Sequence, residues 1–413
     1  MTPTLYLTRN GLLEPLGQSQ VLSYLKGLSR DHQITLITFE KSEDMADTQA
    51  MAKANADCEA YSINWHPKSF RHRPKLLAPA WSMFEMFWSA YRAARAGEAQ
   101  MIHARSYLPA AAAWAVFRLT GTPFIFDMRA LWPEELIVAS RLQRGSIVHK
   151  VLTHLEKVCL RDAAAVVSLT NAAVEYLRDQ YPTELQRQRI AVIPTCADLQ
   201  RFKQSDKPPS ERVYGCVGTL LSGWFLLDWL AAFFNTVAQK DPEARFEVIT
   251  RDDAETVRAA LDIDGNLCDR LSIFPSASES VHEALQKQST SVMFFTDGTS
   301  KLGSAPTRLG EALGCGVPVV ANEGVGDVAD IIRQNNIGVI VKDGSEASMA
   351  LALDELGTLR SDPDLPSRCR KAAEEVFSLE AGTKAYRKLY ADILGRPNGT
   401  ENAPAGARAV NAR

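Results

Sequence analysis

The stretch Ser304–Asn322, SAPTRLGEALGCGVPVVAN, combines residue types suited to holding an anion and a sugar hydroxyl pair. Pro306 suits a first helical turn, where its missing N–H is not needed. Thr307 stands beside it at the helix opening. The free N–H groups and the dipole of such an end attract a phosphate. Lys301 and Arg308 add positive charge nearby. Glu311 lies about one turn in, where its carboxylate can accept hydrogen bonds from a ribose diol, each worth roughly 1.5–3 kcal/mol. Together these residues suit a nucleoside diphosphate. The same spacing also suits a capped helix with an exposed Glu and a tight turn into the next strand.

A second group of polar residues follows apolar runs earlier in the chain. MIHARSY places His103, Arg105 and Ser106 at a strand end, and FIFDMRA places Asp127 and Arg129 at another. Polar groups there are placed to face a cleft. Arg105 and Arg129 would hold a bound anion such as a phosphate and stabilise charge building on it. Asp127 would orient a substrate hydroxyl or pair with Arg129, and His103 joins them as a catalytic candidate. A structural ion pair at the sheet edge and a satisfied core histidine are the alternatives. Gly17, in the loop after the first strand, allows close backbone approach to a diphosphate. Gly218 does so in VGTLLSGWFLLDWL.

These residues need strands to carry them, and the chain supplies them in alternation with helices. The runs TLYLT, QITLITF, AQMIHA, PFIFDM, AAVVSLT and IAVIP are separated mostly by helical spacing. A polar, Pro-containing stretch at about 196–212 reads as a linker. Alternation then restarts with RVYGCVG, RFEVIT, RLSIFP, SVMFF, VPVVAN and IGVIV. This pattern predicts an α/β protein with two doubly wound, Rossmann-like domains facing across a cleft. Ligands bind beyond the carboxyl ends of strands in such sheets. The expected divisions are a first domain over 1–203, a second over 204–377, a C-terminal helix over 378–394 that returns to the first domain, and an unstructured tail over 395–413. Ser378 is the expected N-cap of that helix.

Composition sets outer bounds. The 413 residues exceed one typical core. A net charge of −3 and the absence of a basic stripe argue against a nucleic-acid partner. Seven cysteines without a CxxC pair fit a reducing, cytoplasmic setting. The N-terminus does not read as a signal peptide, and no apolar run is long enough to span a bilayer. The histidines show no ligand spacing, so neither metal nor cofactor is expected. Residues 65–91 set Lys68, Arg71, Arg73 and Lys75 before Trp81, Phe84, Phe87, Trp88 and Tyr91. Such a mixture suits a membrane headgroup region and a lipid-linked acceptor at the inner membrane face. It equally suits a surface loop followed by a helix packed on the first sheet. WFLLDWLAAFF at 224–234 reads as a core helix.

SAPTRLGEALGCGVPVVANEGVGDVADII resembles the donor-site signature of the family 4 glycosyltransferases, which have the GT-B fold. TRNGLLEPLGQSQVLSYLKGLS resembles that family's opening strand, loop and helix. IHARSYLP and FIFDMRALWPEE resemble a subgroup acting in bacterial surface polysaccharide and lipopolysaccharide assembly. The resemblance implies a glycosyltransferase of hexosyltransferase type, with a nucleoside-diphosphate sugar donor, a glycan or lipid-linked acceptor, and retention at the anomeric carbon. Glu311 matches the second Glu of the family's paired-Glu motif, the one that binds the donor ribose. The first Glu, which contacts the donor sugar, falls at Gly303. The Arg and Lys that grip the diphosphate after the first strand of the second domain are also missing, which leaves Lys301 or Arg308 to replace them. A nucleotide-sugar epimerase of this fold and an inactive sugar-nucleotide binding module are the alternative readings.

Overall fold

The computed structural model describes residues 1–70, 77–205, 211–263, 265–277 and 280–395. Two parallel sheets dominate it. The first contains β1 (Thr2–Thr8), β2 (His32–Glu40), β3 (Asn64–Ser69), β4 (Met101–Arg105), β5 (Phe124–Asp127), β6 (Ala165–Ser168) and β7 (Ile190–Val192). Their order is β3-β2-β1-β4-β5-β6-β7. The second contains β8 (Val213–Val217), β9 (Arg245–Ile249), β10 (Leu271–Phe274), β11 (Thr290–Met293), β12 (Val319–Asn322) and β13 (Gly338–Val341), in the order β10-β9-β8-β11-β12-β13. In each sheet the order reverses beside the first strand, between β1 and β4 and between β8 and β11. These are the points where an open α/β sheet offers a crevice.

Twelve of these thirteen strands are the apolar runs expected from sequence. The thirteenth, β3, is NWHPKS. Its Pro67 and Lys68 mark an edge strand, which β2 pairs on one side only. The expected loop over 65–69 is therefore corrected to a strand. Arg71, Arg73 and Lys75 lie outside the described residues.

Burial on both faces explains why the strands read as continuous apolar runs. On one face Leu5, Leu7, Ile102, Phe124 and Phe126 meet the helices Leu77–Arg95, Tyr107–Thr120 and Ile147–Asp162. On the other, Tyr6, Leu36, Ile125 and Val167 meet Leu22, Leu25 and the C-terminal helix Leu379–Leu394 through Tyr386, Leu389 and Tyr390. The Ser378 hydroxyl caps that helix by accepting from Ala381 N–H at 2.9 Å. Arg387 ties it to Asp31 at 2.5 Å. Covering one sheet face of the first domain is therefore the work of residues far along the chain.

The chain crosses between the sheets twice, and the crossings touch. Ala197 and Ser378 form a parallel bridge, with Ala197 N–H donating to Phe377 O at 2.8 Å. Arg370 Nη1 pins the first crossing by donating to Leu199 O at 3.0 Å and Phe202 O at 2.9 Å. In the second domain, the helix expected at 224–234 runs over Leu227–Lys240 and buries Leu230, Phe233, Phe234 and Val237.

Candidate functional site

The cleft side of the second domain is built on the loop after β11 and the helix Thr307–Gly314. Pro306 is the N-cap rather than the first helical residue, with an extended ψ of 119°. No side chain caps this end. Glu311 is 7 % exposed and forms an ion pair with Arg308, three residues earlier on the same helix. Burial raises the Glu311 pKa, and the Arg308 charge opposes that shift. Glu311 and Thr307 line a cavity of about 630 Å³, within the usual range for a ligand pocket. Its opposite wall includes Gln18, Ser19 and Lys53 of the first domain, and Arg201 of the crossing segment.

Arg201 was not legible in the sequence as a site residue, because it lies in the polar stretch that reads as a linker. Its guanidinium stacks on Phe202, 4.6 Å from the ring centroid, and its charge acts on Glu311. Neighbouring Phe202 is buried at the second-domain core, which fixes the segment in place.

Other expected donor residues are placed differently. Lys301 is 6 % exposed, with its Nζ 3.0 Å from the ring centroid of Trp224. Burial lowers its pKa, and the charge of Glu135, on the first-domain helix Trp132–Val138, opposes that shift. Lys301 is thus a buried cation held between the domains. Gly218 closes β8 and packs on Phe225, whose ring would lie 2.4 Å from an added Cβ. Gly17 also has an internal reason: an added Cβ would fall 2.1 Å from the Gly11 carbonyl oxygen. Both glycines are thus required by packing inside their own domains.

Gly303, where the paired-Glu motif would have its first carboxylate, is buried against the other domain. An added Cβ would lie 3.0 Å from the Leu131 backbone nitrogen. A side chain there would press on Leu131, and the Leu131 segment would have to give way to admit it. Around it the interface is hydrogen bonded. Thr170 Oγ1 donates to Leu302 O at 2.5 Å, and Thr195 Oγ1 donates to Ala305 O at 2.8 Å. The Asp327 carboxylate accepts from Asn171 N–H at 2.7 Å and Ala172 N–H at 2.9 Å. Asp327 therefore sits at the positive end of the helix Asn171–Gln180, a favourable place for an anion.

On the first domain, β4 and β5 bring His103, Arg105, Asp127 and Arg129 together as expected from their strand-end positions. Their exposure is not as expected. His103 and Asp127 are each 1 % exposed and Arg105 is 6 % exposed. For His103 and Asp127 the reason is the C-terminal helix, which covers them. His103 Nδ1 lies 2.7 Å from Tyr390 Oη, and its Nε2 lies 3.3 Å from Asp127 Oδ2. Tyr386 Oη donates to Asp127 Oδ2 at 3.1 Å. Arg129 Nη1 is 3.5 Å from both Tyr386 Oη and Asp127 Oδ1. Burial raises the Asp127 pKa, but Arg129 and the His103 hydrogen bond outweigh it and hold it at about 2. Burial lowers the His103 pKa, and the Asp127 hydrogen bond opposes this only in part. The group is thus an ionised carboxylate, a neutral imidazole and a guanidinium sealed under two tyrosines. In this arrangement neither His103 nor Asp127 is open to a substrate directly.

Arg105 and Ser106 lie next to that network. Arg105 Nη1 donates to Asn10 Oδ1 at 3.1 Å. Ser106 has φ 78° and its N–H donates to Asp127 O at 2.7 Å. Arg129 also has a positive φ, 62°. Such backbone strain at two strand ends is common at functional positions. Among the described residues no group of three or more His, Cys, Asp or Glu is arranged to hold a metal ion.

The two halves match two family models. Residues 17–196 match the glycosyl transferase 4-like domain, and residues 211–358 match glycosyl transferases group 1. No curated protein matches the chain. Several solved structures share its fold over nearly its whole length. A glycosyltransferase from Rickettsia africae is 13% identical, covers 95% of this chain and 99% of its own, and superposes with a TM-score of 0.71. HepE from Anabaena in complex with UDP is 16% identical, covers 95% and 100%, and gives 0.69. WaaG, a glycosyltransferase involved in lipopolysaccharide biosynthesis, is 13% identical, covers 95% and 99%, and gives 0.62. With two parallel Rossmann-like sheets facing across a cleft and both halves matched, the chain belongs to the glycosyltransferases of GT-B fold, joining a glycosyl transferase 4-like domain to a group 1 domain.

Proposed function

We propose that this enzyme transfers a hexosyl group from a nucleoside-diphosphate sugar to a hydroxyl of a glycan or lipid-linked acceptor, with retention of configuration. The observation that carries the donor assignment is Glu311, a buried carboxylate one turn into a helix whose N-terminus has no side-chain cap, on the wall of a cavity between the domains. In this reading Glu311 accepts from the ribose hydroxyls. The N-terminal amides at Thr307, with Arg308 and Arg201, face the diphosphate. UDP bound to HepE, a protein of the same fold, makes UDP the first nucleotide to test.

The acceptor enters from the first domain, beside Arg105 and Ser106. The acceptor oxygen forms a bond to the anomeric carbon on the face the donor oxygen leaves. The bond to the diphosphate breaks with its electron pair, and the acceptor proton passes to the departing phosphate oxygen. Cations beside that phosphate lower the barrier as charge builds. His103 and Asp127 act as positioning residues in this scheme, fixing Arg129.

A place in cell-surface polysaccharide synthesis at the cytoplasmic face of a membrane fits one further feature. The helix Leu77–Arg95 turns Met86 and Ala90 to the core but exposes Trp81 by 50%, Phe84 by 57% and Trp88 by 48%. Among the described residues no helix is long and apolar enough to cross a membrane. An exposed aromatic face suits the interfacial region of a bilayer, where a lipid-linked acceptor is held.

The test is thermal stabilisation of wild type and Glu311→Ala by UDP, GDP, dTDP, ADP and CMP. A nucleotide at one hundred times its Kd adds about 2.7 kcal/mol. Stabilisation of the wild type by one nucleotide, much reduced in the variant, supports the donor site. Equal stabilisation of both proteins removes Glu311 from it.

A further inference from the structure

Three arginines on the first domain remain only partly accounted for. β1, β4 and β5 are neighbours in the sheet, and each carries an arginine at or just beyond its carboxyl end: Arg9, Arg105 and Arg129. In each, the Nε–H is buried and has no hydrogen-bond partner among the described residues. Buried charges are ordinarily paired and hydrogen bonded. Asp127 supplies one negative charge, and Arg129 faces it at 3.5 Å. Arg105 has the neutral Asn10 amide oxygen as its hydrogen-bond partner. Arg9 lies over the Phe70 ring, 4.7 Å from its centroid. Burial lowers the pKa of both Arg9 and Arg105, the shift expected of cations short of a counter-charge.

Of the three, Arg9 lines a cavity of about 270 Å³ together with Asn10, Phe70, Ser106, Tyr107 and Trp132, and Arg105 reaches its wall through Asn10. The helix Tyr107–Thr120 begins in its wall, and Ser106 gives that helix no side-chain cap. Glu14 also lines the cavity, but Lys41 neutralises it at 3.0 Å and Asn10 Nδ2 donates to it at 3.2 Å. The aromatic wall is rigid. Tyr107 Oη donates to Glu156 Oε1 at 2.5 Å, and its ring lies 5.5 Å from that of Trp132. The volume falls just below the usual range for a ligand pocket, enough for one ring with its substituent.

We infer that this cavity binds an oxyanion group, phosphate or carboxylate, carried on the acceptor sugar, with Arg9 as its contact, Arg105 backing it through Asn10, and the ring between Phe70 and Trp132. The inference rests on the reading that the acceptor enters from the first domain, and it adds the acceptor's charge class. It shares no lining residue with the Glu311 cavity, so a donor and this anion have separate places to bind.

The experiment is calorimetric titration of the UDP-saturated enzyme with inorganic phosphate, glucose 1-phosphate, glucuronate and methyl glucoside, for wild type, Arg9→Gln and Arg9→Lys. UDP stabilisation measured beforehand tests the donor reading separately. If UDP fails to stabilise the enzyme, the donor reading falls, and the same titrations without UDP still test this cavity. The expected result is binding of the anionic sugars about tenfold or more tighter than the neutral one. Arg9→Gln removes that preference and Arg9→Lys keeps part of it. Four results overturn the inference: equal binding of charged and neutral sugars, undiminished binding by Arg9→Gln, no binding of any anionic probe, or displacement of the anions by UDP, which would give these arginines to the donor. A parallel arm uses vesicles of phosphatidic acid. Arg9-dependent binding to vesicles without response to glucose 1-phosphate or glucuronate places the anion on a lipid and overturns its assignment to a sugar.

Discussion

Tyr390 Oη lies 2.7 Å from His103 Nδ1, across 287 residues of chain and inside the covered face of the first sheet. The protonation pattern follows from the partners. Ionised Asp127 only accepts, so His103 Nε2 carries the hydrogen, Nδ1 accepts, and the Tyr390 hydroxyl donates. Tyr390→Phe leaves Nδ1 buried without a donor and is expected to cost about 1–3 kcal/mol of stability. Urea unfolding followed by tyrosine and tryptophan fluorescence measures it. Stability equal to wild type would mean the hydrogen bond contributes nothing.

The same network predicts a pH dependence. The folded pKa of His103 is lowered from 6.5, chiefly by burial. An unfolded chain therefore binds a proton here that the folded chain refuses. The contribution is fully present above pH 6.5 and declines as pH falls below it. Asp127, lowered from 3.8 to about 2, adds stability that is present above 3.8 and lost as pH falls towards 2. Unfolding midpoints should decline between pH 7.5 and 5.5 in the wild type and decline less in His103→Gln. Parallel profiles for the two proteins would remove His103 as the source.

Gly303 gives a test of interdomain contact. Because an added Cβ meets the Leu131 nitrogen at 3.0 Å, Gly303→Glu should force the domains apart or lower stability. Small-angle scattering should show a larger radius of gyration, or melting should show a lower Tm. Unchanged values of both would show that the domains already stand further apart in solution.

Asp327 tests the same interface from another side. Asp327→Ala removes the acceptor for Asn171 and Ala172 N–H. A charged acceptor of this kind is worth about 1.5–3 kcal/mol. Fluorophores placed one on each domain should report a greater mean separation than in wild type. An identical separation would show that other contacts hold the interface alone.

The aromatic face of the helix Leu77–Arg95 predicts vesicle binding. Trp81, Phe84 and Trp88 changed together to Ser should lower sedimentation with anionic vesicles severalfold, with little change in Tm because all three are exposed. Retained sedimentation would exclude this face as the membrane contact.

The strands were readable because a parallel sheet buries both faces, so runs such as FIFD and VVAN are continuously apolar. β3 escaped because an edge strand tolerates Pro67 and Lys68. Glu311 was readable from its spacing to the helix opening. The sealing of His103 and Asp127 was not, because Tyr386 and Tyr390 reach them through tertiary packing that local spacing does not encode. Arg201 escaped for a related reason: it sits in a polar connection, and Phe202 beside it is what locks that connection to the core. The glycines at 17 and 218 have close neighbours within the protein, Gly11 and Phe225, which sequence spacing does not reveal.

The C-terminal helix sets an order on synthesis. Domains tend to complete as they leave the ribosome, N-terminal first. Here the face of the first sheet bearing Tyr6, Leu36 and Val167 is covered in part by Tyr386, Leu389 and Tyr390. A nascent chain that has just finished β7 therefore carries a first sheet with bare apolar surface and an uncovered His103–Asp127 pair. It stays so while the whole second domain is made. The half of the enzyme translated first is among the last to be closed, and a chain released before residue 379 would present that surface to chaperones or to another copy of itself.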